Sequence, residues 1–203
     1  RSILNLTDGR MFFGTRNGLS LYSKQTFRNF YIQNGIAHNY IRALFQDKNS
    51  NVWIGTSAGV SVLKNGKSTF ANIEFKEGTI NKNIIRAFCE DTVGNIWIGS
   101  KGGLHLFHND TLSSYVHENE MASNDILSLY CDNSALWIGT YNGGLMRYKN
   151  KQFSTLTLQQ GLFDNVIYHI LEDDFGNLWF GSNKGIFRIL KQQLNDYCDG
   201  KTL

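Results

Sequence analysis

Basic and aromatic side chains stand at equivalent turn and strand-end positions of a repeated phrase in this 203-residue sequence. Arginine can hold a carboxylate through two parallel hydrogen bonds, and an aromatic face offers apolar area to a sugar ring. We therefore predict a rim for an anionic or sugar-acid ligand, with Tyr141 and Tyr168 as stacking platforms. The alternative is that these turns are simply solvated, since exposed charges need no function. The candidate ligand-binding residues are Arg16, Arg42, Arg86, Lys101, Tyr141, Asn142, Tyr168, His169 and Lys184.

Enzymatic chemistry has no matching set of residues in the sequence. No paired carboxylates, Ser-His-Asp set or histidine cluster recurs at a common position of the repeat, and the repeated acids stand in turns. His169 has no partner histidine or cysteine at metal-ligand spacing, and the three cysteines lack such spacing as well. The sequence therefore predicts a protein that is not an enzyme and that holds neither a cofactor nor a metal ion.

Charge and hydropathy narrow the range of partners. The net charge of +3 is too small to indicate nucleic acid, and no nucleic-acid-binding motif accompanies it. No apolar run approaches the length of a membrane span, and the N-terminus lacks a signal-peptide pattern. We therefore expect no nucleic-acid partner and no membrane contact within this segment. A signal, a transmembrane helix and an output domain would lie outside these residues.

One phrase of the sequence occurs five times at nearly even spacing. Its glycine follows an aromatic and an aliphatic residue, and the copies are 41, 44, 40 and 42 residues apart, at Gly14, Gly55, Gly99, Gly139 and Gly181. The aromatic residue is phenylalanine in the first copy and tryptophan in the others, at Phe12, Trp53, Trp97, Trp137 and Trp179. A second phrase sets an asparagine two residues before an isoleucine and eight before an aspartate, at Asn39, Asn83, Asn124 and Asn165.

Each repeat divides into four short strands. "YIRALFQD" has mixed apolar content, "NVWIGTS" is aromatic and β-branched, and "GVSVLKN" alternates. Repeats of this length with four strands are typical of propeller blades, in which each sheet covers its apolar faces against its neighbours. We therefore predict an all-β propeller of five four-stranded blades, with the tryptophans and glycines as packing residues and the aspartates as turn acceptors. The predicted units are residues 1–38, 39–82, 83–123, 124–164 and 165–203, and the last ends in a short helix.

Two copies of the phrase, "EDTVGNIWIGSKGGL" and "EDDFGNLWFGSNKGI", carry a specific resemblance. They resemble the two-component regulator propeller repeat, whose members read close to "eD..GnlWiGT..GL". The resemblance covers essentially the whole chain and is weakest in the first unit. Relatives of this repeat usually build rings of about seven blades, so the resemblance implies that the five units are an arc of a larger ring.

The resemblance also implies a function. Members form the sensory, usually periplasmic, portion of membrane-spanning bacterial regulators, among them hybrid histidine kinases and receptors linked to diguanylate cyclases. A non-enzymatic sensor would bind a small molecule or an oligosaccharide and contact other domains of the parent receptor. Exposed strand edges of an arc would also favour a homodimer. The alternative is a passive scaffold for protein interaction or dimerisation.

Overall fold

The described residues of the chain fold into five antiparallel sheets and a terminal α-helix. A computed structural model describes residues 2–75, 83–115 and 121–201. These divide into two compact units, Arg1–Tyr115 and Val116–Leu203, which hold three and two sheets respectively. Each sheet lies inside one of the five predicted intervals, and its strands pair in sequence order as a meander. The predicted all-β architecture of successive blades is confirmed.

The first unit contains three four-stranded blades. The first blade consists of β1 (Ser2–Asn5), β2 (Met11–Thr15), β3 (Gly18–Ser23) and β4 (Thr26–Phe30). The second consists of β5 (Ile41–Gln46), β6 (Val52–Thr56), β7 (Gly59–Leu63) and β8 (Phe70–Ile73). The third consists of β9 (Ile85–Glu90), β10 (Ile96–Ser100), β11 (Gly103–His108) and β12 (Thr111–Tyr115). A short 3-10 helix, Ile32–Asn34, joins the first blade to the second.

The second unit contains a complete blade followed by a three-stranded one. The fourth blade consists of β13 (Ile126–Cys131), β14 (Leu136–Thr140), β15 (Leu145–Lys149) and β16 (Gln152–Leu156). A 3-10 helix, Leu158–Gln160, precedes the fifth blade, which consists of β17 (His169–Glu172), β18 (Asn177–Ser182) and β19 (Gly185–Leu190). The predicted terminal helix is present as α1 (Lys191–Cys198) and follows β19 where the other blades begin a fourth strand. In the described part of the chain, no helix has the length and apolar character of a membrane span.

The repeated glycine and the repeated isoleucine belong to a single contact between successive blades. A Cβ atom on Gly14 would lie 2.7 Å from Cγ2 of Ile41, and one on Gly55 would lie 2.7 Å from Cγ2 of Ile85. The same distance separates a Cβ on Gly139 from Cγ2 of Ile167. Each isoleucine therefore fills the space that the missing side chain leaves in the preceding blade, which explains why the two residue types recur together.

The tryptophans show where a blade is covered. Trp53, Trp97 and Trp137 are 4%, 6% and 0% exposed, as the packing role predicts. Trp179 is 37% exposed, and the prediction of a buried tryptophan is wrong at this position. The reason is that Trp179 lies on the outer face of the fifth blade, together with the exposed Leu171 and Ile186, and no further sheet of the described residues packs there.

Candidate functional site

The turns that carry the predicted rim are closed by one repeated hydrogen bond. In each blade, the threonine or serine that ends the second strand donates its hydroxyl to the carbonyl of a glycine on the other side of the turn. The donor–acceptor distances are 2.8–3.0 Å. The glycine adopts a positive φ, such as 109° at Gly18 and 117° at Gly185. The turns of the first and fifth blades each enclose two exposed residues, Arg16–Asn17 and Asn183–Lys184, which can vary. The turn of the third blade encloses the buried Gly102, and that of the fourth encloses three residues, of which Gly143 is buried.

In the first unit, two of the predicted arginines share one tyrosine. The guanidinium of Arg42 lies 4.4 Å from the ring centroid of Tyr40, and that of Arg16 lies 6.0 Å from the same centroid. Nε of Arg42 donates to Oγ of Ser57 at 2.8 Å, which fixes the half-buried side chain against the turn of its own blade. Arg16 comes from the first blade and Arg42 from the second, so packing of the two blades assembles this arginine–tyrosine cluster.

The other two predicted residues of the first unit are on the third blade. Arg86 occupies the position on β9 that Arg42 occupies on β5, and it is half-buried. Lys101 is exposed in the turn after β10, where its backbone N–H donates to the carbonyl of Ile84 at 3.0 Å. These two residues therefore extend the row of cationic turn and strand-end positions from the first two blades to the third.

In the second unit, the predicted residues of the fifth blade meet an aromatic residue. The hydroxyl of Tyr168 donates to Oδ1 of Asn183 at 2.8 Å, which repeats the strand-to-turn contact of Arg42. Nζ of Lys184 donates to the carbonyl of Phe163 at 3.1 Å and lies 5.8 Å from the centroid of its ring. Tyr168 and Phe163 are 39% and 47% exposed, so both rings are accessible to a ligand.

The other three predicted residues of the second unit lie in a turn and on a strand. Tyr141 is 47% exposed in the turn after β14, and Asn142 next to it has a φ of 67°, a left-handed conformation that asparagine tolerates. His169 is exposed but pairs with Gly181 on β18, whose face also carries Trp179. His169 therefore belongs to the outer face of the fifth blade, whereas Tyr141, Asn142, Tyr168 and Lys184 belong to turns and strand ends.

The repeated aspartates are structural acceptors. Oδ2 of Asp47, Asp91, Asp132 and Asp173 accepts the indole N–H of the tryptophan in the same blade at 2.8–3.2 Å. The hydrogen bond from the Trp179 indole is the largest influence on Asp173 and lowers its pKa. Desolvation acts in the opposite direction, but hydrogen bonds from Asn177 and Phe175 add to the lowering, and the pKa is about 2. Desolvation is the largest influence on Asp132 and raises its pKa, but hydrogen bonds from Ser134, Trp137 and Ala135 together leave the pKa below its ordinary value. Carboxylates held ionised in this way are poor candidates for proton transfer at neutral pH.

Some residues that shape the site escape the sequence pattern. The repeat pattern does not identify Tyr40 or Phe163, although a cationic side chain lies over the ring of each. For Tyr40, the sequence feature that could have identified it is an aromatic residue directly before Ile41. His105 is 3% exposed between the hydroxyls of Ser100 and Ser114, and burial lowers its pKa to about 4. His105 is therefore a neutral core residue at physiological pH. Residues 2–75, 83–115 and 121–201 contain no group of side chains that could hold a metal ion.

Comparison with known proteins agrees with this blade construction. Three segments, residues 35–58, 79–102 and 161–184, match the family described as two component regulator propeller. Histidine kinase P4 of Formosa agariphila is 26% identical over 155 residues, which are 75% of this chain and 9% of that protein. The extracellular domain of a hybrid two component system from B. thetaiotaomicron is 25% identical with a TM-score of 0.79, covering 94% of this chain and 27% of that one. The chain thus spans only a small part of each of these relatives.

A third similarity concerns the fold alone. Virginiamycin B lyase from Staphylococcus aureus has a TM-score of 0.67 at 15% identity, covering 93% of this chain and 73% of the lyase. A similarity at 15% identity indicates a shared propeller fold and says nothing about the chemistry of the lyase. The three matched segments, the five repeated sheets and the likeness to an extracellular two component domain show that the chain is built of propeller blades similar to those of the two component regulator propeller family.

Proposed function

We propose that this chain is the non-enzymatic, periplasmic sensor portion of a bacterial signal-transduction receptor, which binds an anionic sugar and signals to a cytoplasmic kinase or cyclase. The likeness to a histidine kinase and to the extracellular domain of a hybrid two component system supports a place in such a receptor. The repeated aspartates accept hydrogen bonds from the tryptophans of their own blades, which supports a binding role rather than acid–base chemistry for them.

The arginine–tyrosine cluster is the observation that carries the proposed ligand class. Arg16 and Arg42 place two positive charges beside one aromatic ring, contributed by two different blades. A uronic acid offers a carboxylate for a guanidinium and an apolar ring face for an aromatic side chain. Because the two arginines come from different blades, a ligand that bridges them would favour one packing of the two blades, which is the differential affinity that a switch requires.

Calorimetric titration with two trisaccharides of equal length, one of galacturonic acid and one of glucose, tests this proposal. We expect the acidic sugar to bind with 1:1 stoichiometry, and Arg42→Gln to weaken it roughly tenfold or more, since a charge-assisted pair is lost. Arg28→Gln is the matched control, because Arg28 lies over the ring of Phe30 on the outer strand β4. Equal binding of the neutral sugar, or equal affinity of the Arg42 variant, would contradict the ligand class.

A passive scaffold is the second candidate, and the exposed apolar face of the fifth blade favours it. Leu171 and Ile186 on that face are 68% and 77% exposed. Apolar patches of this kind mark interaction surfaces in soluble proteins. If neither sugar produces a saturable heat signal while the chain self-associates in sedimentation, the scaffold replaces the sensor as the assigned function.

A further inference from the structure

The four complete blades carry a large apolar side chain at one position of the fourth strand. The residues at this position are Phe27, Phe70, Leu112 and Phe153. The ring of Phe27 lies 4.9 Å, between centroids, from that of its strand partner Tyr22, and the ring of Phe153 lies 4.7 Å from that of its own partner. The usual group at this position of the repeat is therefore a phenyl ring.

Phe70 shows what surrounds such a ring at the junction between the first and second blades. Its ring makes an edge contact with that of Phe30 at a centroid distance of 5.2 Å, and its strand partner is Leu63. A Cβ atom on Gly35 would lie 3.9 Å from the Cβ of Phe70. Phe70 also packs against the core cluster that contains the buried Ile36. One phenyl ring thus completes this corner of the core.

The junction between the fourth and fifth blades has the same surroundings but no fourth strand to supply the ring. Among the described strands, none pairs with the outer side of β19. A Cβ atom on Gly161, which ends its 3-10 helix as Gly35 ends the first one, would meet nothing within 4 Å. The positions of Phe30, Gly35, Ile36 and Leu63 are taken here by Leu156, Gly161, Leu162 and Ile189.

Helix α1 stands in place of the fourth strand and closes this corner without filling it. Leu194 of the helix is 2% exposed and belongs to the same core cluster as Leu156 and Leu162, and Tyr197 packs against that cluster. A pocket of about 260 Å³ remains between these two helical residues and the four blade residues at the positions that surround Phe70. The pocket therefore lies where the repeat elsewhere places a phenyl ring.

The lining of the pocket suits an aromatic ring that carries one polar group. Its walls are aliphatic apart from the half-buried Tyr197, and every described lining residue is uncharged. The exposed Gln160 and Gln193 also line it, and their carboxamides can donate and accept hydrogen bonds. An engineered apolar cavity of about 150 Å³ in another protein holds benzene, so the volume here is sufficient for a substituted ring.

We propose that this pocket binds a small phenol as a free molecule. The ring lies against Leu162, Ile189 and Tyr197, in the place that Phe70 holds at the first junction. The hydroxyl lies at the mouth, where the carboxamides of Gln160 and Gln193 are its partners. This site belongs to the second unit and uses none of the residues of the arginine–tyrosine cluster, so the two proposals can fail separately.

The probe is 4-fluorophenol, titrated into the whole chain and followed in a ¹H–¹³C methyl spectrum. The methyl signals of Leu162 and Ile189 should shift and saturate, with a dissociation constant of about 1 mM or lower, a range that ring-sized ligands reach. Cyclohexanol, which has the same hydroxyl on a non-aromatic ring, should bind roughly fivefold more weakly because it lacks the aromatic contact with Tyr197. N-acetyltyrosinamide should bind no more tightly than 4-fluorophenol, since the pocket contacts the ring alone.

A matched pair of variants on α1 locates the site. Gln193→Phe places a ring in the pocket from the exposed side of the helix and should weaken binding roughly tenfold or more, because the ligand is excluded. Gln192→Phe is the control, since Gln192 is equally exposed on the same helix and does not line the pocket. It should bind like the parent chain. Far-UV circular dichroism verifies that each variant is folded.

A third variant tests the equivalence of the two junctions. Phe70→Ala removes the ring between the first and second blades and opens the corresponding place in the first unit. With this variant, 4-fluorophenol should also shift the methyl signals of Ile36 and Leu63, which should not respond in the parent chain.

Four results would overturn the proposal. One is the absence of saturable shifts at the methyl groups of the pocket. Another is equal binding of cyclohexanol, which removes the aromatic class, or tighter binding of N-acetyltyrosinamide, which points to a tyrosine side chain of a partner. The third is unchanged affinity in folded Gln193→Phe, or an equal loss in Gln192→Phe. The last is the absence of new shifts in folded Phe70→Ala, which removes the equivalence on which the ring rests.

Discussion

The fourth and fifth blades carry the same tryptophan in two different environments. Trp137 and Trp179 both donate the indole N–H to the aspartate of their own blade, at 3.0 Å and 2.8 Å. Both face an arginine across the next strand, Arg147 and Arg188. Trp137 is nevertheless fully buried, while Trp179 is 37% exposed. The repeat phrase thus builds the turn and the strand pair, and a neighbouring sheet supplies the burial.

The glycines two residues further on repeat this difference. A Cβ on Gly139 would lie 2.6 Å from the carbonyl oxygen of Ile167 in the fifth blade, whereas one on Gly181 would meet nothing closer than the His169 ring at 3.6 Å. Glycine is therefore a packing requirement in the fourth blade and carries no such requirement in the fifth. The same glycine of the repeat therefore contributes differently to stability in the two blades.

Replacing the two tryptophans by alanine gives the largest expected contrast. We expect Trp137→Ala to lower the free energy of unfolding by about 3–5 kcal/mol, the usual cost of truncating a fully buried aromatic side chain. Trp179→Ala should cost about 1 kcal/mol, because much of the side chain already contacts water. Urea denaturation followed by far-UV circular dichroism measures both values. Equal losses would mean that the turn hydrogen bond, which the two blades share, is the main contribution.

Adding a methyl group at the two glycines gives an intermediate effect. Gly139→Ala should lower the free energy of unfolding by about 1–3 kcal/mol, since backbone of the next blade must move to accommodate the new atom. Gly181→Ala should change it by less than about 0.5 kcal/mol, or raise it slightly, because the chain loses flexibility in the unfolded state. The same denaturation experiment decides the matter. A large loss at Gly181 would show that its face is covered in solution.

The smallest expected effect is the loss of stabilisation when acid protonates Asp132 and Asp173, the acceptors of the two indole hydrogen bonds. The pKa of Asp173 is lowered to about 2 and that of Asp132 lies below its ordinary value, so ionisation stabilises the folded form above pH 3.8 and this stabilisation is lost as the pH falls through the folded pKa. We expect the Trp179 indole N–H signal in a ¹H–¹⁵N spectrum to shift with a midpoint near pH 2, and Asp173→Asn to abolish that shift. A midpoint at or above pH 3.8 would contradict the bond as a determinant of this pKa.

The candidate site was predictable in its positions and less so in its contacts. Arg42 and Tyr168 share one repeat position, and each reaches the turn of its own blade, at Ser57 and Asn183. A repeat alignment identifies such pairs, because equivalent residues stand at equivalent places. It did not identify Tyr40 or Phe163, since the approach of Arg16 to Tyr40 depends on how one blade packs on the next. It also grouped His169 with the rim, although β17 directs that residue toward the outer face.

The repeat letters by themselves determined the number of blades, the positions of their turns and the role of the aspartates as acceptors in those turns. These are short-range or nearest-neighbour relations, and a period of about 42 residues fixes them wherever it recurs. Tertiary structure alone decided which tryptophan is buried and which core cluster Leu194 of α1 packs against. Those outcomes depend on what packs against each sheet, and identical phrases contain no information about their neighbours.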